Sequence, residues 1–306
     1  MIDAGNEKHP VSDNAKPDVS VVVPVYEDWA KVPDLLSSLR AQNFDPQSFE
    51  IIIVDNGSAS VDVPRWQGPP TLKVASCTKP GSYAARNYGV RLARGDVLAF
   101  TDADCRPSPD WLANGWRSVC KSADSNRLVA GGVRMVSPPG NHPATAAEKF
   151  DLACGIPQAR YVRRGYATTA NLLMGRATFL DLDGFDERLF SGGDAEFCAR
   201  AQHSGNELVY VPRAEVDHLA RTDFRALAIK TRRLKGGQLA HGSRSQRALW
   251  LAKAFVPCVP QLACLARAPQ LSWRSRCAAA SVSFGLWVVG IAECTRIILG
   301  GRPRRR

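Results

Sequence analysis

The sequence predicts an α/β protein: a mostly parallel central sheet flanked by helices, followed by a helical, membrane-associating C-terminal region. Three observations predict it. Short apolar runs rich in β-branched residues alternate with segments of helical spacing, the signature of βα units. Acids and turn residues stand directly after several of these runs. Charge is also segregated: residues 221–306 carry 17 Lys/Arg against two acids, a net +15, whereas residues 1–220 are net −4.

Taken in order, residues 1–17 read as a polar arm, and 19–25 as a buried strand. Residues 29–42 carry Val32, Leu35, Leu36 and Leu39 at helical spacing. A second buried strand, 49–54, ends in Asp55-Asn56-Gly57-Ser58, strong turn chemistry. A Pro/Gly-rich loop, a short strand at 72–75, a helix at 81–93 and a strand at 96–101 follow, with Asp102-Ala103-Asp104 directly after. Beyond Pro109 we expect a helix at 109–121, a strand near 127–136, a helix near 144–154 and a strand at 167–174. A turn within 179–190, a helix at 194–203, a strand at 208–211 and a basic helix at 222–236 come next. Two apolar stretches, 249–266 and 278–292, finish the chain. Domain boundaries follow: the arm to 17, an α/β domain over 18–240, and a basic, apolar helical region over 241–306.

With 306 residues, 45% hydrophobic and 23% charged, the composition is that of a folded globular protein. It excludes a disordered tail, a collagen-like fibre and a polytopic membrane protein. Nine cysteines without a Cys-x-x-Cys pair argue against a disulfide framework or a structural zinc site and fit a reducing compartment. The polar N-terminus lacks a signal-peptide core, so we expect a cytosolic location or the cytosolic face of a membrane.

In open α/β sheets, ligands bind beyond the carboxyl ends of the strands. Glu27 and Asp28 follow the first strand, Asp55 the second, and Asp102 and Asp104 the fourth. A bare Asp-x-Asp is usually a solvated turn; directly after a buried strand it reads better as a seat for Mg²⁺ or Mn²⁺. No dinucleotide-binding glycine fingerprint, P-loop or nucleophile elbow is present. Asp194, after Gly192 and Gly193, reads either as a helix cap or as a general base at a flexible entry. Glu196 and Arg200 are spaced to pair on one helix face. His218 is a structural histidine or a nitrogen ligand; Arg232, Arg233 and Lys235 form a solvated basic face, a lipid contact or a phosphate clamp.

In this order the motifs resemble a family 2 glycosyltransferase of GT-A fold over roughly residues 18–240. The resemblance rests on Val21–Tyr26, Glu50–Ser58, Ala85–Gly89, Phe100–Asp104, Asp183–Glu187 and Gly193–Phe197 through Arg200. It implies an inverting, nucleotide-sugar-dependent enzyme. By this resemblance Pro24, Tyr26, Glu27 and Asp55 hold base and ribose, and Arg86 and Asn87 lie near the nucleotide. Asp102 faces ribose or metal, Asp104 and His218 hold a divalent metal (Mn²⁺ or Mg²⁺), and Asp194 is the catalytic base. Asn171 and Gly193 fall in the donor–acceptor cleft. Relatives often carry an acid where Gly193 stands, a departure that bears on acceptor positioning.

Neither C-terminal stretch is a clear membrane span: prolines interrupt the first, and the second is short. Arginines flank both, and helices lying on the cytosolic leaflet keep them all on an anionic lipid surface, which a span or hairpin does not. The expected partners are a nucleotide-sugar donor, a glycan or lipid-linked acceptor and anionic lipids, with no nucleic acid. A sugar-nucleotide pyrophosphorylase, a donor-binding protein without turnover and a nucleic-acid binder are the alternatives. The first needs a Gly-rich basic loop where Tyr26-Glu27-Asp28 stands, and the last fits poorly with basic residues interleaved among Leu/Val/Ala runs.

Overall fold

A computed structural model describes residues 16–121, 126–140, 143–240 and 244–302; most of the expected N-terminal arm, and Arg304 to Arg306, lie outside the described residues. The strands are β1 (Val19–Val25), β2 (Phe49–Asp55), β3 (Thr71–Ser76), β4 (Val97–Thr101), β5 (Cys105–Pro107), β6 (Arg127–Val136), β7 (Asn171–Gly175) and β8 (Glu207–Leu219). The helices are α1 (Val32–Arg40), α2 (Ser82–Leu92), α3 (Trp111–Cys120), α4 (Ala146–Cys154), α5 (Gln158–Val162), α6 (Arg176–Asp181) and α7 (Gly193–His203). Four more, α8 (Phe224–Ala240), α9 (Arg244–Phe255), α10 (Val259–Ala266) and α11 (Trp273–Ile298), complete the chain.

The eight strands form one sheet in the order β3-β2-β1-β4-β7-β6-β8-β5. The β3-β2-β1-β4 half is wholly parallel, and β6 and β8 are also parallel. The β4–β7, β7–β6 and β8–β5 pairs are antiparallel. The near-continuous apolar runs of β1, β2 and β4 are buried throughout apart from Pro24, as a parallel sheet covered on both faces requires. One core packs α1 and α3 against Val21, Ile51 and Ala99. The other packs α2, α6 and α7 against Val22, Ile52 and Phe100. Strand order reverses between β1 and β4, so Tyr26 and Asp102 leave the sheet at the crevice where open α/β sheets bind ligands.

Several elements depart from expectation, each for a tertiary reason. The strand expected over 167–174 starts only at Asn171, because Gln158 holds Thr168 by its backbone N–H, hydroxyl and carbonyl. The three-residue β5 and the short α5 and α6 carry too few residues to show a period. β8 runs 13 residues instead of stopping at 211; its register against β6 jumps between Gly131 and Gly132, and Pro212 is accommodated at that irregularity. His218 therefore lies within a strand, opposite Cys105 and Met135.

The second apolar stretch is part of a single helix of 26 residues, α11, continuing past Glu293 because Arg296 pairs with it (3.0 Å) inside the helical packing. Among the described residues it is the one helix long and apolar enough to cross a membrane. Residues 247–255 and α10 form a pair bent by 57° that passes the same test together. α11 packs its buried face on α8 and α4 through Val282 and Leu286.

Candidate active site

A cleft of about 2060 Å³ opens at the carboxyl edge of the sheet and runs on between α4 and α8–α11. Asn56 braces its floor: its side chain donates to the carbonyls of Cys77 (2.9 Å) and Lys79 (2.8 Å) and accepts from Gly81 N–H (2.8 Å). That fixes the entry to α2, whose first turn lines the cleft. From α2, Arg86 reaches Asp102 at 2.5 Å, and Tyr83 donates to Asp194 Oδ1 at 3.2 Å.

Asp104 projects from the β4–β5 turn towards His218 of β8, Oδ1 to Nε2 3.5 Å, while Lys31 stands 3.9 Å from its other oxygen. Burial opposes the charged form of Asp104, but His218, Lys31 and Arg221 outweigh it and hold the carboxyl below its usual range. Asp104, Cys105 and His218 form a cluster whose ligand atoms lie within 4.8 Å of one another. Burial and the adjacent carboxylates Asp104 and Asp102 push the Cys105 thiol well up, and it turns to the Ala170 carbonyl. The donor set facing the cleft is therefore one carboxylate and one imidazole, which suits Mn²⁺ or Mg²⁺ with water and phosphate completing the shell.

Asp194 is the second residue of α7, whose N-cap Gly192 takes the left-handed conformation (φ 82°) that glycine adopts without strain. Its Oδ1 also accepts from the Ala195 N–H at 3.0 Å. Burial raises its pKa, against the opposing pull of Arg86, the Ala195 amide and Tyr83. The Tyr83 hydroxyl, buried beside this carboxylate, is itself pushed up and stays protonated. α8 seats against the loop before Asp194: a Cβ on Gly237 would lie 3.0 Å from Ser191 Cβ. Behind α8, the buried Asp151 accepts from Arg221 N–H at 2.9 Å and faces Lys230 at 3.8 Å. Burial and the nearby Arg221 bring Lys230 down to about 8.

Of the residues singled out from sequence, Pro24, Tyr26, Arg86, Asp102, Asp104, Asp194, His218, Arg233 and Lys235 line this cleft. Others do not. Asn171 is fully buried beneath it; its amide donates to the carbonyls of Gly132 (2.8 Å) and Ala214 (2.7 Å), bridging the β6–β8 irregularity, and accepts from the Trp111 indole. Asn87 turns away to clamp Phe185 and Glu187. Asp55 holds the Trp29 indole and the Gly57 and Ser58 amides, and exposed Glu27 binds the loop at Ser58 and Ala59. Arg232 is not among the residues that line the cleft. Gly193 lies under the Tyr83 ring, 2.7 Å from where its Cβ would be, so the space an acidic side chain would need is taken. Tyr83, Asp151 and Lys230 were missed. Their only sequence signal is a place near a motif, and their partners lie 70 to 111 residues away.

Residues 20–178 match glycosyl transferase family 2. Glycosyltransferase AglE of Haloferax volcanii is 31% identical over 80% of this chain and 83% of its own length. The chain belongs to glycosyltransferase family 2. The pre-mycofactocin glycosyltransferase of Mycobacterium tuberculosis is 30% identical over 71% of this chain, which spans 46% of that longer relative. Among solved structures, the mannosyltransferase PcManGT of Pyrobaculum calidifontis, in complex with GDP-Man and Mn²⁺, superposes with a TM-score of 0.56. It is 18% identical, with 94% of this chain and 88% of that one covered. S. aureus TarS 1-349 with UDP-GlcNAc gives 0.51 at 17% identity, with 94% and 93% covered. The fold of this family 2 glycosyltransferase is GT-A, with a C-terminal apolar helix added.

Proposed function

We propose that this enzyme moves a hexosyl group, with inversion, from a nucleotide-diphospho-sugar to a hydroxyl of a glycan or lipid-linked acceptor at the cytosolic membrane face. A UDP donor is favoured. The observation that carries the reading is the joint placement of Asp194 and the Asp104–His218 pair in one cleft, with the Arg86–Asp102 pair close to both. Relatives and neighbours support the donor class: one is a GDP-Man complex, another a UDP-GlcNAc complex. The amylovoran biosynthesis glycosyltransferase AmsB of Erwinia amylovora is 27% identical over 67% of this chain and 70% of its own length. We take 18–240 as the transferase domain and 241–306 as the region that lies on anionic lipid.

Asp104 and His218 are the residues that would hold a divalent metal, which neutralises charge on a departing diphosphate. Asp194, with Oδ1 engaged by Tyr83 and Ala195, receives the acceptor's hydroxyl proton on Oδ2. The acceptor oxygen then bonds to the anomeric carbon from the face opposite the diphosphate, whose bond to that carbon breaks. Arg86 holds Asp102 in place, and the cations Lys230 and Arg233 along the same wall attract the departing negative charge.

Thermal unfolding with UDP, GDP, dTDP and CDP, each with Mn²⁺ and with EDTA, tests the donor site. Saturation at 100 times the dissociation constant adds about 2.7 kcal/mol. Asp194→Asn is expected to keep that metal-dependent shift and lose transfer by about 10²–10⁴-fold. Near-normal transfer by this variant overturns the assignment.

A further inference from the structure

Beside Asp194 the cleft wall is built from the turn that closes α5. Residues 161–166 read Tyr-Val-Arg-Arg-Gly-Tyr. Gly165 takes the left-handed conformation (φ 80°), the Tyr166 N–H donates to the Tyr161 carbonyl (3.2 Å), and the Gly165 N–H donates to that of Val162 (2.9 Å). This way of ending a helix brings the side chains on either side of the glycine turn into contact. Here they are Tyr161 and Tyr166, whose rings stack with centroids 4.8 Å apart and planes inclined by 22°. Tyr166 packs on the core beneath. Tyr161 lies stacked on it, half-buried, and both line the cleft. Gln202 fastens the turn to α7, the helix of Asp194, by donating to the Gly165 carbonyl at 2.7 Å.

Two features of this wall call for a ligand. The Tyr161 hydroxyl has no hydrogen-bond partner among the described residues, although a tyrosine hydroxyl withdrawn from solvent usually finds one. Charge is also unbalanced. Asp186 is matched by Arg188, and Glu196 by Arg200, which leaves Arg160 and Arg164 as the surplus on this stretch of the lining. Both act on the same spot. Burial pushes the Tyr161 hydroxyl up to about 12; Tyr166 and Asp194 add to the rise, while Arg160 and Arg164 oppose it. Burial raises the Tyr166 hydroxyl too, with Arg164 and Arg160 again opposing and Asp194 reinforcing. The two rings, the two guanidinium groups and Asp194 are therefore within electrostatic reach of one another.

A pyranose ring has an apolar face of C–H groups, and the face of an aromatic ring carries the negative end of a quadrupole, so the two stack. A guanidinium group on the rim of such a platform selects a carboxylate. We propose that the Tyr161–Tyr166 stack is the platform for the accepting sugar and that it takes an acidic pyranose, a hexuronic acid residue of a glycan. The C–H face of that sugar lies on Tyr161, its carboxylate on Arg160 and Arg164, and one ring hydroxyl reaches Asp194. This deepens, and rests on, the transferase reading above.

The test is saturation-transfer NMR on the full chain in uncharged detergent, with methyl β-glucuronide, methyl β-glucoside and acetate as probes. Each is titrated with and without the nucleotide and Mn²⁺ that give the largest thermal shift. The expected result is saturable binding of the glucuronide, at least about tenfold tighter than of the glucoside, the factor that one hydrogen bond to a charged group supplies. Saturation should reach the ring protons of one sugar face first, and acetate should not saturate. Tyr161→Ala is expected to weaken both sugars about tenfold, whereas Tyr161→Phe, which keeps the ring, retains most of the binding. Arg160→Gln, at an exposed position, is expected to abolish the preference for the glucuronide and leave the glucoside unchanged. Equal binding of the two sugars by the wild type, a preference that survives Arg160→Gln, or Tyr161→Ala binding like wild type overturns the proposal. The nucleotide shift described above separates the two readings: no glucuronide binding with the shift intact refutes this inference alone. Selective glucuronide binding without any nucleotide shift keeps the platform and refutes the transferase reading.

Discussion

Replacing Gly193 by alanine tests how tightly Asp194, the proposed base, is held. The added Cβ would lie 2.7 Å from Tyr83 Cε2 and 2.9 Å from Cδ2 and Cζ. Carbon atoms rest at about 3.5–4.0 Å, so the ring has to move by about 1 Å. It has little room: Tyr83 is 5% exposed and packs on Phe185 with ring centroids 5.4 Å apart. The movement breaks the 3.2 Å bond from Tyr83 to Asp194. Overpacking of this kind costs about 1–3 kcal/mol, and a 1 Å misplacement near a reacting group costs about 100-fold in rate. The expected outcome is a fall in Tm of about 5 °C, at roughly 2–4 °C per kcal/mol for a domain of this size, with kcat down about 100-fold and donor KM little changed. Scanning calorimetry and initial rates measure both. Tyr83→Leu, which shortens the ring away from the glycine, should recover the stability lost in Gly193→Ala, though not the rate. A Gly193→Ala variant with wild-type Tm and turnover would refute the claim that the Tyr83 ring occupies the place of an acidic side chain.

Three further outcomes are expected. His218→Ala should raise the Mn²⁺ concentration for half-maximal thermal shift by more than tenfold, following the loss of one of the two proposed protein ligands; an unchanged metal titration removes His218 from the proposed metal site. Burial raises the Asp194 pKa, so the folded state binds its proton more tightly than the unfolded chain, and this group makes stability fall as pH rises from its unfolded value through its raised folded one. Asp194→Asn should therefore be more stable than wild type at neutral pH, with the advantage vanishing in acid, as paired melting curves across pH would record. Glu50 has the opposite sign: burial opposes its charge, but Lys73, the Arg94 amide and Ser20 hold its pKa down. Its contribution is present above the unfolded pKa and is lost as pH falls through the folded one. Glu50→Ala, which strands Lys73 and the Arg94 N–H, should cost about 3 kcal/mol in chemical denaturation at pH 7.

Much of this was legible along the chain. The β-branched runs located β1, β2 and β4 to within a residue at either end, because fully buried parallel strands tolerate little else. Asp102, Asp104 and Asp194 were visible because each stands beside a turn at the end of an apolar element. What escaped was decided across space. Asn171 sits in a motif that faces a cleft in the family pattern, yet here the irregularity between β6 and β8 leaves two carbonyls that its amide satisfies. Asn87 was likewise taken, by Phe185 and Glu187, 98 and 100 residues away, whereas Asp55 makes the turn its own sequence announces, through the Gly57 and Ser58 amides. Tyr83 and Lys230 carry no motif at all; their significance comes from carboxylates that folding brings to them.

The seat of Gly237 on Ser191 has an implication for how such enzymes diversify. The family match ends at residue 178, yet the loop that carries Asp194 is wedged in place by a helix some fifty residues beyond that point. The C-terminal helices are thus no optional appendage; they form one wall of the cleft that Asp194 lines. Exchanging that block between relatives would exchange the fit of the wall. Change in this half of the molecule is thereby yoked to change in the loop beneath it, and a graft that ignored Gly237 would leave the Asp194 loop unsupported.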